Sequence, residues 1–307
     1  MIVITGCAGF IGFHLTKNLL EKNKKVIGID IIDKYYDPKK KKDRLKILNK
    51  YKNFKFFKID LNKYNLVYSK LKDYKVELII HLAAQPGVRI SIKKPHNTLK
   101  QNLVPFINIL EIARLKKVKK FLFASSSSIY GDTKIYPFVE KDNQNVPVSV
   151  YGATKLSNEI IASSYSKNFN MKTIALRFFT VYGPYGRPDM AYYSFLDDLK
   201  KNKKIRVFNK GHMMRDFTYV DDVIKGIISL INFKLKKNHD VINIGKGKPD
   251  QLMELIKLIE VNYKKKFKIE YTKNIPNGDI KKTFSNVNKA KKLIKWKPKV
   301  NLDEGIK

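Results

Sequence analysis

Ile2-Val3-Ile4-Thr5-Gly6-Cys7-Ala8-Gly9-Phe10-Ile11-Gly12 is the stretch on which the fold turns. Ile2, Val3 and Ile4 read as a buried strand, and the apolar spacing from Ile11 onward reads as a helix. The glycines between them carry chemistry. Gly6 permits a tight turn, Gly9 lets the backbone approach a pyrophosphate, and Gly12 lets the helix pack closely on the strand. Phe10 and Ile11 open the helix, whose first turn offers N–H groups and a positive dipole end to phosphate. An ordinary strand-to-helix turn is the competing reading.

Working outward from this loop, strand-like runs at 2–5, 25–29, 54–58, 77–81, 120–125 and 172–178 alternate with helical patterns at 11–22, 47–51, 66–71, 95–115 and 152–167. Such alternation predicts an α/β, doubly wound, Rossmann-type parallel sheet with ligands at the carboxyl ends of its strands. After about residue 178 the rhythm breaks into a turn-rich stretch, helices and short strands. Residues 1–178 are expected to form the dinucleotide-binding domain, with 214–245 (a helix at 220–231 and a strand at 240–244) returning to it. Residues 179–213 and 246–307 are expected to form a smaller substrate-binding lobe, its last helix starting at Asp303 and cut short.

The 307 residues carry 63 Lys+Arg against 27 Asp+Glu, a formal net charge of +36 that invites a nucleic-acid or anionic-membrane reading. With 43% hydrophobic and 12% aromatic residues the chain can bury a core, which excludes wholesale disorder. No apolar run reaches the roughly 18–20 residues of a membrane helix, and the chain opens on a strand rather than on a basic leader. A single cysteine, Cys7, excludes an internal disulfide and a cysteine metal cluster, and five scattered histidines lack ligand spacing. A cytoplasmic protein without a metal is the expectation. Lysine clusters at 39–42, 116–120, 200–204 and 264–266 read as solvated surface.

Four further features add chemistry. Asp30 ends the second strand, where an acidic side chain accepts from a ribose diol and repels a 2′-phosphate, favouring NAD over NADP; a cap or turn role is the alternative. Asp60-Leu61 follows the third strand and faces the same choice between adenine contact and capping. Tyr151-Gly152-Ala153-Thr154-Lys155 sets a phenol and an ammonium four residues apart, on one face of a helix. A neighbouring cation lowers a phenol's pKa toward the range of a general base. In Ala124-Ser125-Ser126-Ser127-Ser128-Ile129-Tyr130-Gly131, hydroxyls at a strand end can bond a substrate hydroxyl or ketone, or hold a polar turn.

Together with His81-Leu82-Ala83-Ala84-Gln85, these motifs resemble the extended short-chain dehydrogenase/reductase family over essentially the whole chain. Tyr35-Tyr36-Asp37-Pro38 with Arg44-Leu45, Ala84-Gln85-Pro86-Gly87-Val88-Arg89 and Thr180-Val181-Tyr182-Gly183-Pro184-Tyr185-Gly186-Arg187-Pro188-Asp189-Met190 are similar to the UDP-glucuronate 4-epimerases of its nucleotide-sugar branch. The resemblance implies that Tyr151 is the base, that Lys155 tunes it and holds the nicotinamide ribose, and that Ser126 orients the reacting hydroxyl, with Ser127 and Ser128 adjacent. It implies tightly bound NAD, lined by Leu82, Ala83, Ala84 and Phe178, with Asn102 in support. Arg89, Thr180, Arg187, Asn209, Arg215 and Asp279 fall where sugar- or nucleotide-binding residues are expected, and Ser127 and Ser128 join them. A uridine-binding strand is expected at 205–208, and Asp189 is expected to cap the following helix.

The resemblance further implies hydride removal from sugar C4, giving a 4-keto intermediate. Related decarboxylases usually carry a Glu two residues before the loop tyrosine; here Ser128 stands there, and its hydroxyl cannot replace a carboxylate as a strong general base or acid. The expected reaction is therefore 4-epimerisation of UDP-glucuronate and UDP-galacturonate by a homodimer that binds neither nucleic acid nor membrane. The alternatives are a UDP-glucose/UDP-galactose 4-epimerase and a catalytically silent dinucleotide-sensing or polyanion-binding protein on the same fold. Departures from the pattern are Ile31 where an Asn is usual and Pro86 where a small residue is usual.

Overall fold

A computed structural model of the chain describes residues 1–33, 35–141 and 146–307. These form two compact units: Met1–Ile129, Ser149–Arg177 and Lys234–Ile242 make the first, and Tyr130–Val148, Phe178–Phe233 and Asn243–Lys307 the second.

The first unit is built on strands β1 (Ile2–Thr5), β2 (Val26–Asp30), β3 (Phe54–Lys58), β4 (Leu78–His81), β5 (Lys120–Ser126) and β6 (Thr173–Phe178). With the strand His239–Ile244 they give one seven-stranded sheet, in the order His239–Ile244, β6, β5, β4, β1, β2, β3. The registers of β1 with β2 and β4, of β2 with β3 and of β4 with β5 are parallel. The central strands are short, β-branched and buried on both faces, the signature of a parallel sheet covered by helices. Its helices are α1 (Phe10–Glu21), α2 (Pro38–Leu48), α3 (Tyr64–Leu71), α4 (Val88–Lys93), α5 (Pro95–Leu115) and α6 (Val150–Phe169). Val3, Ile27, Ile79, Phe106, Ile109, Phe121 and Phe123 are fully buried in one core, where Phe106 meets Phe123 edge-on at 5.0 Å.

Helix α2 begins nine residues earlier than the expected start at 47. Pro38 stands at its first turn with a preset φ, and the Asp37 carboxylate caps it by accepting from Lys39 N at 2.9 Å. The lysine run at 39–42 is thus helical, and Lys41 in it is buried rather than solvated.

The second unit pairs its short strands in twos: Thr180–Tyr182 with Phe217–Tyr219, Lys204–Val207 with Lys268–Tyr271, and Met214–Arg215 with Asp250–Gln251. Its core gathers Tyr182, Leu199, Ile205, Val207, Phe217, Leu255 and Ile256. Tyr192 is buried in it, and Tyr193 and Phe195 pack against it. Of the stretch 214–245 expected to return to the first domain, the strand His239–Ile244 joins the sheet, while Lys234–Ile242 alone groups with the first unit. The helix Val220–Asn232 stays in the second because its buried Asp222 binds the C-terminal segment. Asp222 Oδ2 accepts from Lys299 N at 2.7 Å and Val300 N at 2.8 Å, and its carbonyl accepts from Trp296 Nε1 at 2.9 Å. Residues 130–148 likewise group with the second unit: Tyr130 Oη donates to Asn243 Oδ1 at 2.7 Å and Phe138 N to Phe284 O at 2.9 Å. Among the described residues no helix is long and apolar enough to cross a membrane.

Candidate active site

In the first unit the glycine loop closes as its sequence requires. Gly6 has φ +72° and donates to Ile29 O at 2.7 Å, and Gly9 N donates back to Gly6 O at 2.9 Å. A Cβ on Gly12 would stand 2.0 Å from Gly6 O, so only glycine lets α1 approach the loop this closely. Gly9 differs: a Cβ there would meet only the Gly6 carbonyl, at 3.0 and 4.0 Å, and would otherwise fill the space in front of the helix. Gly9 is also the N-cap of α1 and has no side chain to cap it, which leaves the first-turn N–H groups of Phe10, Ile11 and Gly12 without a side-chain acceptor. A phosphate cradle fits this geometry.

Asp30, buried at the end of β2, is tied to the loop: its Oδ2 accepts from Ala8 N at 3.1 Å, and its Oδ1 from Ile32 N and Lys41 Nζ, both at 3.0 Å. Burial opposes the Lys41 ammonium, but the Asp30 and Asp33 carboxylates outweigh it and hold its pKa up. Arg44, also buried, donates to Ala8 O and Tyr36 Oη, each at 2.8 Å. The sequence reading missed Lys41 because it lay inside a run of four lysines; the only signal was its helical spacing from Arg44 and Leu45. Asp60 accepts from Asn62 N at 2.9 Å and Asn62 Nδ2 at 2.8 Å, a turn-closing role, and Leu61 beside it is buried. Leu82, Ala83 and Ala84 continue β4 into the next loop, with Ala83 N donating to Thr5 Oγ1 at 3.3 Å.

Helix α6 starts where Ser149 Oγ accepts from Gly152 N at 3.1 Å. It carries Tyr151, half-buried, and Lys155, fully buried, whose Nζ lies 5.8 Å from the Tyr151 ring centre. Lys155 Nζ donates to Ala124 O on β5 at 3.0 Å. Burial lowers its pKa to about 8. Two residues beyond Ala124, Ser126 Oγ donates to Ser128 Oγ and accepts from Ser128 N, both at 3.1 Å. The structure thus brings together Ser126 and Ser128, while Ser127 starts the short 3₁₀ turn Ser127–Tyr130. Asn102 does not reach outward. Its Oδ1 accepts from Gln85 N at 2.7 Å, and its Nδ2 donates to Gln85 O and Thr154 Oγ1, both at 3.1 Å, so it braces the β4 loop against α6. Arg89 is exposed in the first turn of α4.

In the second unit Arg215 and Asp279 come together, Nη2 to Oδ1 at 3.4 Å, and Arg215 Nη1 also donates to Lys281 O at 3.2 Å. Next to Arg215, the fully buried Asp216 carboxylate accepts from Thr218 Oγ1, Lys246 N, Gly247 N and Ser285 N and Oγ, a structural role. Arg187 pairs with Asp189 at 2.6 and 3.0 Å. The carboxylate is therefore used on the arginine, and the helix Ala191–Lys200 takes Met190 as N-cap with no side-chain cap. Asn209 adopts a left-handed φ of 48° and spends its Nδ2 on His212 O at 2.9 Å. The expected strand at 205–208 is Lys204–Val207. Phe178 is buried and Thr180 half-buried.

Residues 3–307 match the family described as GDP-mannose 4,6 dehydratase. The chain is 41% identical to the protein CapI of Staphylococcus aureus, covering 99% of this chain and 96% of that one. It is 37% identical to a UDP-glucuronate 4-epimerase of Thermodesulfobacterium geofontis, covering 99% and 93%. It superposes with a TM-score of 0.91, at 35% identity over 99% and 96% of the two chains, on a crystal structure of UDP-glucuronic acid 4-epimerase from Bacillus cereus in complex with UDP-glucuronic acid and NAD. The chain belongs to the GDP-mannose 4,6-dehydratase family, within the short-chain dehydrogenase/reductase type.

Proposed function

We propose that this protein is an NAD-dependent nucleotide-sugar 4-epimerase that interconverts UDP-glucuronate and UDP-galacturonate. The observation that carries the reading is Tyr151 and Lys155 on one face of α6, with Lys155 fastened to Ala124 O two residues before Ser126. Gly6, Gly9, Phe10, Ile11 and Gly12 would hold the pyrophosphate, Asp30 the adenosine ribose, Asp60 and Leu61 the adenine end, and Leu82, Ala83, Ala84 and Phe178 the cofactor's walls. Bound there, NAD supplies the hydride acceptor and donor for sugar C4, so a 4-keto sugar that turns over between the two transfers leaves with C4 inverted. Tyr151 removes the C4 hydroxyl proton and later returns one. Lys155 holds the phenolate charge, and Ser126 orients the hydroxyl.

The sugar carboxylate sets a further requirement. A 4-keto glucuronate is a β-keto acid and loses CO2 fastest when the breaking C–C bond lies parallel to the carbonyl π orbitals. Ser127, Ser128, Thr180 and Arg187 are read as its partners, holding it out of that alignment. Arg215, with Asp279, is read as the diphosphate ligand, and Asn209 and Arg89 as further contacts to nucleotide or sugar. Asn102 supports the cofactor through Gln85. The proposal extends to a cytoplasmic homodimer supplying precursors for polysaccharide synthesis. Support for a dimer comes from apolar side chains exposed on α5 (Leu99, Val104, Ile107) and α6 (Ile160).

The test is direct. Purified protein is incubated with UDP-glucuronate, and separately with UDP-glucose, and products are read by NMR. UDP-galacturonate without CO2 loss is expected; UDP-xylose, or turnover of UDP-glucose alone, overturns the reading. Tyr151→Phe is expected to lower kcat roughly 10³-fold with the fold intact. Ser128→Ala or Thr180→Ala is expected to release UDP-pentose, and a variant releasing no more than wild type removes that residue from the carboxylate's partners.

A further inference from the structure

Beneath the base of α6 lies a buried polar cluster that the proposed reaction does not use. Glu159 is 5% exposed and Arg177, on β6, 3%. Glu159 Oε1 accepts from Arg177 Nε at 3.0 Å, and Oε2 from Arg177 Nη2 at 2.7 Å, a bidentate pair. Ser125 Oγ donates to the same Oε1 at 2.5 Å. Glu159 therefore fastens α6 to two strands at once, β5 through Ser125 and β6 through Arg177.

The spacing gives this cluster its meaning. Tyr151, Lys155 and Glu159 lie four apart, on one face of α6. Lys155 is held by Ala124 O and Glu159 by the hydroxyl of Ser125, so two successive turns of the helix are pinned to two successive residues of β5. The next residue on that strand is Ser126. A buried ion pair is a poor means of stabilising a fold, since desolvation cancels much of the attraction and apolar replacements of similar volume are often neutral or better. What such a pair does supply is direction: three hydrogen bonds of fixed geometry allow one axial setting of helix against strand. Apolar packing would tolerate a slide of the order of the roughly 1.5 Å rise per residue, enough to separate a phenol from its hydroxyl partner.

We propose that Glu159, Arg177 and Ser125 are positioning residues for the catalytic pair, fixing the register of α6 on β5 so that Tyr151 and Lys155 stay aligned with Ser126. The inference rests on the epimerase reading for its kinetic consequence, but not for its spectroscopic one. The decisive variant replaces Glu159→Met and Arg177→Met together, so that no charge is left buried alone; Ser125→Ala, which keeps the ion pair, serves if the double variant does not fold. Steady-state kinetics with UDP-glucuronate are combined with NMR titration of isotope-labelled tyrosine in the NAD-loaded protein, the Tyr151 signal being identified by its loss in Tyr151→Phe. The double variant is expected to stay folded and retain NAD, with KM changed less than about threefold and kcat lowered roughly 100-fold. The Tyr151 pKa is expected to rise by about one unit as Lys155 leaves its place. A lower melting temperature with wild-type kcat and an unmoved Tyr151 titration overturns the proposal, because a structural brace alone would do that. If the wild type turns over no UDP-sugar, the epimerase reading falls, and the titration alone decides the positioning role.

Discussion

Lys155 shows at the level of one residue how the site works against the fold. It is wholly buried beside Ala124 O, and burial lowers its pKa from 10.5 to about 8. Below pH 8 both states are charged and the folded state carries the full desolvation penalty. Between pH 8 and 10.5 the unfolded chain binds more protons, so stability rises with pH as the penalty fades. At about 1.4 kcal/mol per unit the cost is ~3 kcal/mol. Lys155→Met is therefore expected to raise the melting temperature at pH 7, to lose that advantage near pH 10 and to abolish turnover. Calorimetry across that range checks it, and a variant less stable than wild type at pH 7 would sink the account. Tyr151 and Lys155 were legible in the sequence because their relation is local, four residues along one helix. Lys41 was not, because its partner Asp30 lies on another element and its neighbours are all lysines. Asn102 was expected in support of the cofactor, but its work as a brace between Gln85 and Thr154 could not be read from the sequence, because both partners lie on other elements.

At the scale of elements, the strand–loop–helix unit at the N-terminus could be read almost residue by residue, since each glycine answers a separate steric demand. That separation can be measured. Gly12 is required by packing, its Cβ position falling 2.0 Å from Gly6 O, whereas the Gly9 Cβ position has its nearest atom at 3.0 Å. Gly9 also has φ −71° and ψ 176°, which alanine adopts freely. Gly12→Ala is expected to cost about 1–3 kcal/mol through a forced backbone shift. Gly9→Ala, whose Cβ would meet one backbone carbonyl oxygen at 3.0 Å, is expected to cost less stability than Gly12→Ala and yet to bind NAD at least about tenfold more weakly, by placing a methyl where the phosphates approach. Thermal melts and NAD titration separate the two, and unchanged NAD affinity in Gly9→Ala would refute the cradle assignment. Helix α2 was the element misjudged. Its composition reads as charged surface, but Asp37 and Pro38 start a helix that buries Arg44, Leu45 and Leu48, a face seen only once the cap is recognised.

For the whole molecule, the grouping of residues into two units was only partly legible, because long-range bonds decide it. Asp222 fixes its helix to residues 296–300, some 74 to 78 positions away, and no local pattern announces such a bond. Charge is the opposite case: it is visible at once and says little about fold. The +36 comes from 63 cations against 27 anions, and few of those cations have an assigned partner in the proposed reaction. The remainder still create a positive potential, and UDP-glucuronate carries one more negative charge than UDP-glucose. Long-range attraction of this kind accelerates encounter and is screened over about 10 Å at 0.1 M salt. Raising salt from low to physiological strength is therefore expected to lower kcat/KM for UDP-glucuronate several-fold, while kcat at saturation stays level because the groups around Tyr151 lie within the protein and are little screened. A flat kcat/KM over that range would mean the surplus lysines do not act on the substrate. Retention on DNA that outlasts physiological salt would return the surplus to a polyanion partner.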